Sequence, residues 1–291
     1  MATRPTLPYF APPDVLPAPL PTVEEIHASK KRISAPTEAM VVHVREHFAV
    51  KYGKRATLLQ EGQNMLFVAQ SSNVPVPKVY AIFHDEGTDE NFLIQEYIPG
   101  DELEGVWPDL GADKKRDIAR QLRRHMDELR SIPNHGYYGG LWRQPTLDFH
   151  FADGDMMDHP HPDPTISGPQ ETEEQWTDAM WRCLDARVVH PSVRGQLPVQ
   201  RRLYHRIFRG HKPVFTHANL VGRNVLLRQD GTVVLIDWEH SGWYPSYWEY
   251  CCAMLFCKYK DDWAEWVHEM LDEYVPEQGW MACHRLFILF N

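Results

Sequence analysis

The sequence predicts an α+β protein in two lobes, a small β-rich half with one helix followed by a larger, mainly helical half. Three observations carry this reading. Between about Glu38 and Tyr97, short runs of β-branched and aromatic residues alternate with a single stretch at helical spacing. After the break at Ile98-Pro99-Gly100, apolar residues recur mostly at helical spacing. At 291 residues, with 43% apolar and 24% charged side chains, the chain can bury a substantial core and has neither a disordered nor a collagen-like composition.

In chain order, residues 1–22 read as a proline-rich arm outside the folded units, because prolines remove backbone donors and favour extended backbone. Residues 23–98 form the small lobe. In it, residues 40–44, 48–52, 79–83 and 92–97 read as strands and 58–69 as the helix. Residues 99–291 form the large lobe, where Ile118, Leu122, Met126 and Leu129 share one helical face. Residues 131–170 are rich in Gly, Pro, Asp and His and read as a long irregular segment. Residues 225–228 and 233–236 flank Gln229-Asp230-Gly231-Thr232, a pattern that predicts a two-residue hairpin turn at Asp-Gly. Residues 243–259 and 262–274 read as aromatic-rich helices, and no internal repeat is present.

Charge and cysteine usage narrow the function classes. With 40 acidic against 30 basic side chains the net charge is -10, which disfavours a nonspecific grip on nucleic acid. An anionic ligand then needs a local cation or a metal. No run approaches the roughly 20 apolar residues of a membrane helix, so no membrane partner is expected. The five cysteines are odd in number, lack CxxC spacing and follow no secretory signal, which predicts a reduced, cytoplasmic protein. The sixteen histidines are scattered, and prolines interleave His159 and His161, so the rival reading of a histidine-rich metal hydrolase has no helical ligand pair there.

The hairpin suggests a metal site. With Asp230 and Gly231 as the central pair, Gln229 faces Thr232, Arg228 faces Val233, and Asn224 falls opposite Asp237. Opposed residues place their Cβ atoms about 4.5–5.5 Å apart, so an amide oxygen and a carboxylate would converge. Magnesium takes oxygen ligands and keeps several waters, and two such side chains plus nucleotide phosphates would hold it. The same two residues also suit simple turn caps.

The surrounding residues favour the first reading. His217-Ala218-Asn219-Leu220-Val221-Gly222-Arg223-Asn224, followed by Ile236-Asp237-Trp238-Glu239, resembles the catalytic loop and metal segment of the aminoglycoside phosphotransferase and choline kinase group, itself akin to protein kinases. The group's pattern is H-G-D-x-x-x-x-N followed by I-D-[WF]. The resemblance runs from about Val41 to Tyr250. It implies a protein-kinase-like fold, ATP and magnesium as cofactors, and a small-molecule acceptor phosphorylated on a hydroxyl. In that group the asparagine and the later aspartate hold magnesium, roles matched by Asn224 and Asp237. The aspartate two residues after the histidine handles the hydroxyl proton. Here that position, two after His217, is Asn219.

In the small lobe, Lys51 sits in an apolar strand, and Glu61 shares a helical face with Leu58, Met65 and Val68. A carboxylate on an apolar face needs a cation, and the resemblance makes Lys51 and Glu61 the pair that grips the nucleotide phosphates. Residues 74–79 and 92–98 resemble fungal-type members of the group, in which Glu96, Tyr97 and Ile98 would be the hinge that holds adenine through backbone groups. No glycine-rich phosphate loop is present, since residues 33–42 contain no glycine.

Asn219 leaves the activity open. An amide cannot act as a base at neutral pH, and loss of a general base costs about 10²- to 10⁴-fold in rate. Three accounts follow: an impaired phosphotransferase, a nucleotide- or metabolite-binding protein of the same fold that is a pseudokinase or repurposed for other chemistry, and an engineered Asp-to-Asn variant. For the acceptor, Asp153, Asp155 and Asp158 would attract a cation or form a solvated face. Trp238, Trp243, Tyr244, Tyr247 and Trp248 would line an aromatic pocket or fill the core. Arg223 would touch phosphate or lie on the surface.

Overall fold

The computed structural model describes residues 3–33, 39–151 and 160–289. The chain divides into two compact units, one made of Met1–Glu102 with Val225–Glu239 and the other of Leu103–Asn224 with His240–Asn291. The hairpin therefore returns to the first unit, a crossing that a single boundary near residue 98 does not provide for.

In the first unit, β1 (Tyr9–Phe10), β2 (Met40–Val44), β3 (Phe48–Gly53), β4 (Val79–Asp85) and β5 (Glu90–Glu96) form an antiparallel sheet in the order β1-β4-β5-β3-β2. Successive strand residues face opposite sides of a sheet. Phe48, Val50 and Tyr52 accordingly join Val42, Val44, Phe92 and Ile94 in one core cluster, while Ala49 and Lys51 belong to the other face.

The proline-rich segment, expected as an arm, is laid along this unit. Tyr9 pairs with Ile82 and Phe10 with Ala81, so β1 extends the sheet at β4. Leu16, Ala18, Leu20 and Val23 then pack on the core cluster. The helix α1 (Val23–Ala28) follows, started by a capping box between Thr22 and Glu25, and it buries Ile26 completely.

On the opposite face lies α2 (Thr57–Ser71). A Cβ at Gly62 would meet Ile82 at 2.7 Å and Leu93 at 3.0 Å. A glycine inside a helix costs about 1 kcal/mol relative to alanine, and here it is what lets the helix backbone close on the sheet. Leu58, Glu61, Met65 and Val68 are each at most 1% exposed, as their shared spacing predicts.

The first unit also holds β6 (Gly100–Glu102), which pairs with Val225–Arg228, itself paired with Val233–Leu235. The turn differs from the expected one. Arg228 accepts from Gly231 N and donates to Thr232 O, both at 2.9 Å, and Gly231 has φ 86. This is a three-residue loop, a turn closed by a left-handed glycine. The register is one residue out from the prediction: Val225 pairs with Leu235. Asn224 is therefore not the cross-strand partner of Asp237. It lies in the 3-10 turn Gly222–Asn224, and Asp237 lies beyond the ladder with φ 70.

The second unit is mostly helical. The helix Ala112–Ser131 buries Ile118, Leu122, Met126 and Leu129, and further helices span Glu173–Arg187, Leu197–Ile207, Trp248–Phe256, Trp263–Met270 and Val275–Leu289. Gly242–Pro245 is a strand, not the helix start predicted there, and it lies between Pro213–Thr216 and Gly139–Gly140 in a small sheet. Trp176, Tyr244 and Trp248 pack edge-on or tilted at centroid distances of 5.1–5.5 Å. Among the described residues no helix is long and apolar enough to cross a membrane.

Candidate active site

In the first unit one cation joins two carboxylates. Lys51 Nζ donates to Glu61 at 2.7 and 2.9 Å and to Asp237 Oδ1 at 2.9 Å. The strand β3 turns Lys51 toward α2, and the apolar face of α2 delivers Glu61 to it. Burial alone would depress the Lys51 ammonium, but Asp237, Glu61 and Glu239 outweigh it and hold the group charged. Burial pushes the Glu61 carboxyl up; Lys51 opposes this, while Asp237 and Glu239 add to it. Asp237 is the more open of the two partners, with 24% of its side chain exposed against 1% for Glu61.

Two further contacts, absent from the sequence-based reading, frame this cluster. Arg55, just before α2, lies 3.3 Å from Glu239. Asn64 Nδ2 donates to the Trp238 carbonyl at 2.9 Å, tying α2 to the segment that carries Asp237. Lys51 and Arg55 thus face Glu61, Asp237 and Glu239 in this cluster.

The three expected hinge residues are not equivalent. Glu96 N donates to Lys78 O and Tyr97 N to His47 O, both at 2.8 Å. The Glu96 side chain pairs with Arg228 at 3.1 Å, and the Tyr97 ring stacks on His43. Ile98 N has no acceptor among the described residues.

In the second unit, the strand Pro213–Thr216 leads into the loop that begins at His217, which is fully buried. Glu249 Oε2 accepts from His217 N at 2.7 Å and from Ala218 N at 3.1 Å. Ala218 holds φ 66, a left-handed conformation at the position where the H-G-D pattern has glycine. Asn219 N donates to His217 Nδ1, and Asn219 O accepts from Asn224 Nδ2 at 2.9 Å and from Val221 N at 3.0 Å. The Asn224 amide nitrogen is engaged in this loop contact, and the amide oxygen is the acceptor end of the same side chain. Glu249, which fixes the loop, is 32 residues from His217 in sequence, and no local pattern points to it.

Of the acceptor candidates, Trp238, Trp243, Tyr244, Tyr247 and Trp248 are at most 1% exposed and belong to the core. Arg223 is exposed. Asp153, Asp155 and Asp158 lie outside the described residues, as does part of the glycine-free stretch, residues 34–38. Among the described residues no group of three or more His, Cys, Asp or Glu is placed to hold a metal ion.

Comparison with known proteins adds the following. Residues 31–285 match the family described as "Phosphotransferase enzyme family". No curated protein matches the sequence. The structure of the GDP and kanamycin complex of APH(2")-IIia is similar at 14% identity and TM-score 0.56, over 88% of this chain and 83% of that one. The gentamicin-APH(2")-IIa complex is similar at 15% identity and TM-score 0.54, over 88% and 79%. ADP-bound aminoglycoside phosphotransferase APH(2'')-Ib is similar at 16% identity and TM-score 0.53, over 88% and 80%. At these identities the likeness establishes the kinase-like fold.

Proposed function

Because the chain belongs to the phosphotransferase enzyme family, we propose that it is an ATP- and magnesium-dependent phosphotransferase, acting on a hydroxyl of a small molecule and impaired by Asn219 at the base position. The observation that carries this is the Lys51 ammonium, held between Glu61 and Asp237. This cation satisfies two carboxylates. With nucleotide present it would turn to the α- and β-phosphates, Glu61 keeping it charged and oriented.

The residues suit magnesium by donor chemistry, since Asp237 offers a carboxylate oxygen and Asn224 an amide oxygen. Magnesium held by either residue would neutralise phosphate charge. The Ile98 N–H is the hinge donor left for adenine. In the transfer the acceptor oxygen would bond to the γ-phosphorus as the bond to ADP breaks, and the hydroxyl proton would pass to a phosphate oxygen or to solvent water. The Asn219 amide oxygen can accept a hydrogen bond from that hydroxyl and orient it, but it cannot remove the proton. Positioning and electrostatics supply much of the acceleration in such reactions, so slow transfer is expected. The kanamycin and gentamicin complexes of the structurally similar proteins support a small polar acceptor. A cytoplasmic setting suits the ATP requirement and the free cysteines.

Asn219 itself favours a second reading, a protein of this fold that binds nucleotide or a metabolite without transferring phosphate. The test compares this sequence with Asn219→Asp in magnesium-ATP, reading thermal stabilisation for binding and mass spectrometry of a small-molecule panel for phosphate gain. Binding by both with faster transfer by the aspartate form is the expected result. Binding by both, with Asn219→Asp also inert on the panel, would favour the second reading. No stabilisation of either form by nucleotide would sink the phosphotransferase reading and leave only a metabolite-binding protein of this fold.

A further inference from the structure

The N-terminal segment wraps one edge of the first unit and grips α2. It begins on the α2 side of the sheet, where Arg4 donates through Nε and Nη2 to Gln63 Oε1 at 3.3 and 3.2 Å, and Gln63 Nε2 donates to Pro5 O at 2.8 Å. It then pairs with β4 through Tyr9 and Phe10, and Ala11 N donates to Tyr80 O at 2.8 Å. Beyond the edge it covers the opposite face with Leu16, Ala18, Leu20 and Val23. Arg45 Nη1 closes the path on Pro19 O at 2.7 Å.

The proline content explains this form of attachment. A proline-rich extended strand has carbonyls to offer but few N–H groups, so the body of the unit supplies donors, Gln63 Nε2 to Pro5 and Arg45 to Pro19. Gln63 is 2% exposed, so its amide is committed to the strap. On the helix, Gln63 is two residues from Glu61 and one from Asn64. At 100° per residue these three side chains leave α2 in different directions: Glu61 to Lys51, Asn64 to the Trp238 carbonyl, Gln63 to the strap.

The geometry points to a strap that positions α2, with Gln63 and Arg4 as positioning residues, so that the reach of Glu61 to Lys51 depends on residues 4–11. This rests on the reading of Lys51 as the nucleotide-binding cation. Loss of the strap contacts would free the helix to tilt on the sheet and weaken nucleotide binding while leaving the transfer step itself unaltered.

The test uses the full chain with Gln63→Met and, separately, Arg4→Met, a change at the strap that leaves α2 itself intact. Hydrogen exchange is read in residues 57–71 and, as an internal reference, in residues 112–131. Magnesium-ATP affinity is read by thermal shift, and KM for ATP against kcat in the Asn219→Asp background. Both variants are expected to exchange faster in 57–71 but not in 112–131, with ATP affinity and KM weakened several-fold, kcat within about twofold, and Arg4→Lys restoring most of the difference. Unchanged exchange in 57–71 in both variants would overturn the strap role. Faster exchange with unchanged ATP affinity would overturn the coupling to Lys51. If the parent chain binds no ATP, the nucleotide reading falls by itself and the strap stands or falls on the exchange of 57–71.

Discussion

Lys51 and Asp237 lie 186 residues apart in the chain, yet Lys51 Nζ and Asp237 Oδ1 are 2.9 Å apart in the same compact unit. The contact exists because the hairpin Val225–Glu239 returns to the unit that contains β3 and α2. Glu61 completes the arrangement from α2 at 2.7 Å.

The first prediction concerns this pair. Lys51→Met leaves Glu61, 1% exposed, without its ammonium partner, and removing one member of a buried ion pair costs about 3–5 kcal/mol. Replacing both members with apolar residues is often near neutral. The double variant Lys51→Met/Glu61→Met is therefore expected to recover most of the stability lost by Lys51→Met, measured by urea denaturation. Neither is expected to gain stability from magnesium-ATP. A double variant no more stable than the single one would show that the pair is not the buried electrostatic unit described here.

Much of this unit was legible in the sequence because period-2 and period-3.6 patterns decide which side chains share a face. Lys51 and Glu61 were readable on that ground, one as an odd residue in an apolar strand and one as a carboxylate on an apolar helical face. The hairpin register was not. Asp230-Gly231 fits a two-residue turn and also a three-residue loop with glycine left-handed at its end, and composition does not separate them. Residues 243–245 were misread as helical because a fully buried aromatic strand has no alternation to show. Glu249, Arg55 and Gln63 were missed because their partners are 32, 184 and 58 residues away, distances at which spacing carries no signal.

Ala218 supplies the second prediction. Its φ of 66 puts Cβ where an L-residue is disfavoured by about 1–2 kcal/mol. Glycine removes that penalty and returns part of it as unfolded-chain entropy. Ala218→Gly is expected to stabilise the protein by about 0.5–1 kcal/mol, seen as a higher denaturation midpoint at unchanged slope. A loss of stability would mean that the alanine methyl is worth more to the core than the backbone strain it imposes.

His211 gives a pH dependence. Its Nδ1 is 2.7 Å from Glu173 and its Nε2 is 3.2 Å from Glu277. Burial alone would lower its pKa, but the hydrogen bond and charge of Glu173, then those of Glu277, outweigh it and raise the group above its ordinary value. A raised folded-state pKa contributes stability that is complete below the unfolded value, near 6.5, and is lost as pH rises through the folded one. The stability gap between the parent and His211→Gln is therefore expected to be widest near pH 6 and to shrink toward pH 9. A gap that widens with pH would reverse the sign and refute the assignment.

The last prediction separates fold from chemistry in the loop at His217. Glu249, 2% exposed, accepts from the N–H groups of His217 and Ala218, which are themselves 0% and 3% exposed. Glu249→Gln keeps an acceptor oxygen but loses charge assistance, a change of about 1–2 kcal/mol. Glu249→Leu strands two buried donors at about 1–3 kcal/mol each and is expected to be the more damaging. Asn219 follows directly from these anchored residues, so a loosened loop misplaces the group at that position before it unfolds the unit. In the Asn219→Asp background, Glu249→Gln is expected to lower kcat well below the parent at temperatures where the fold is intact, with KM for ATP little changed. A KM effect without a kcat effect would assign Glu249 to nucleotide binding instead of to the geometry of the loop.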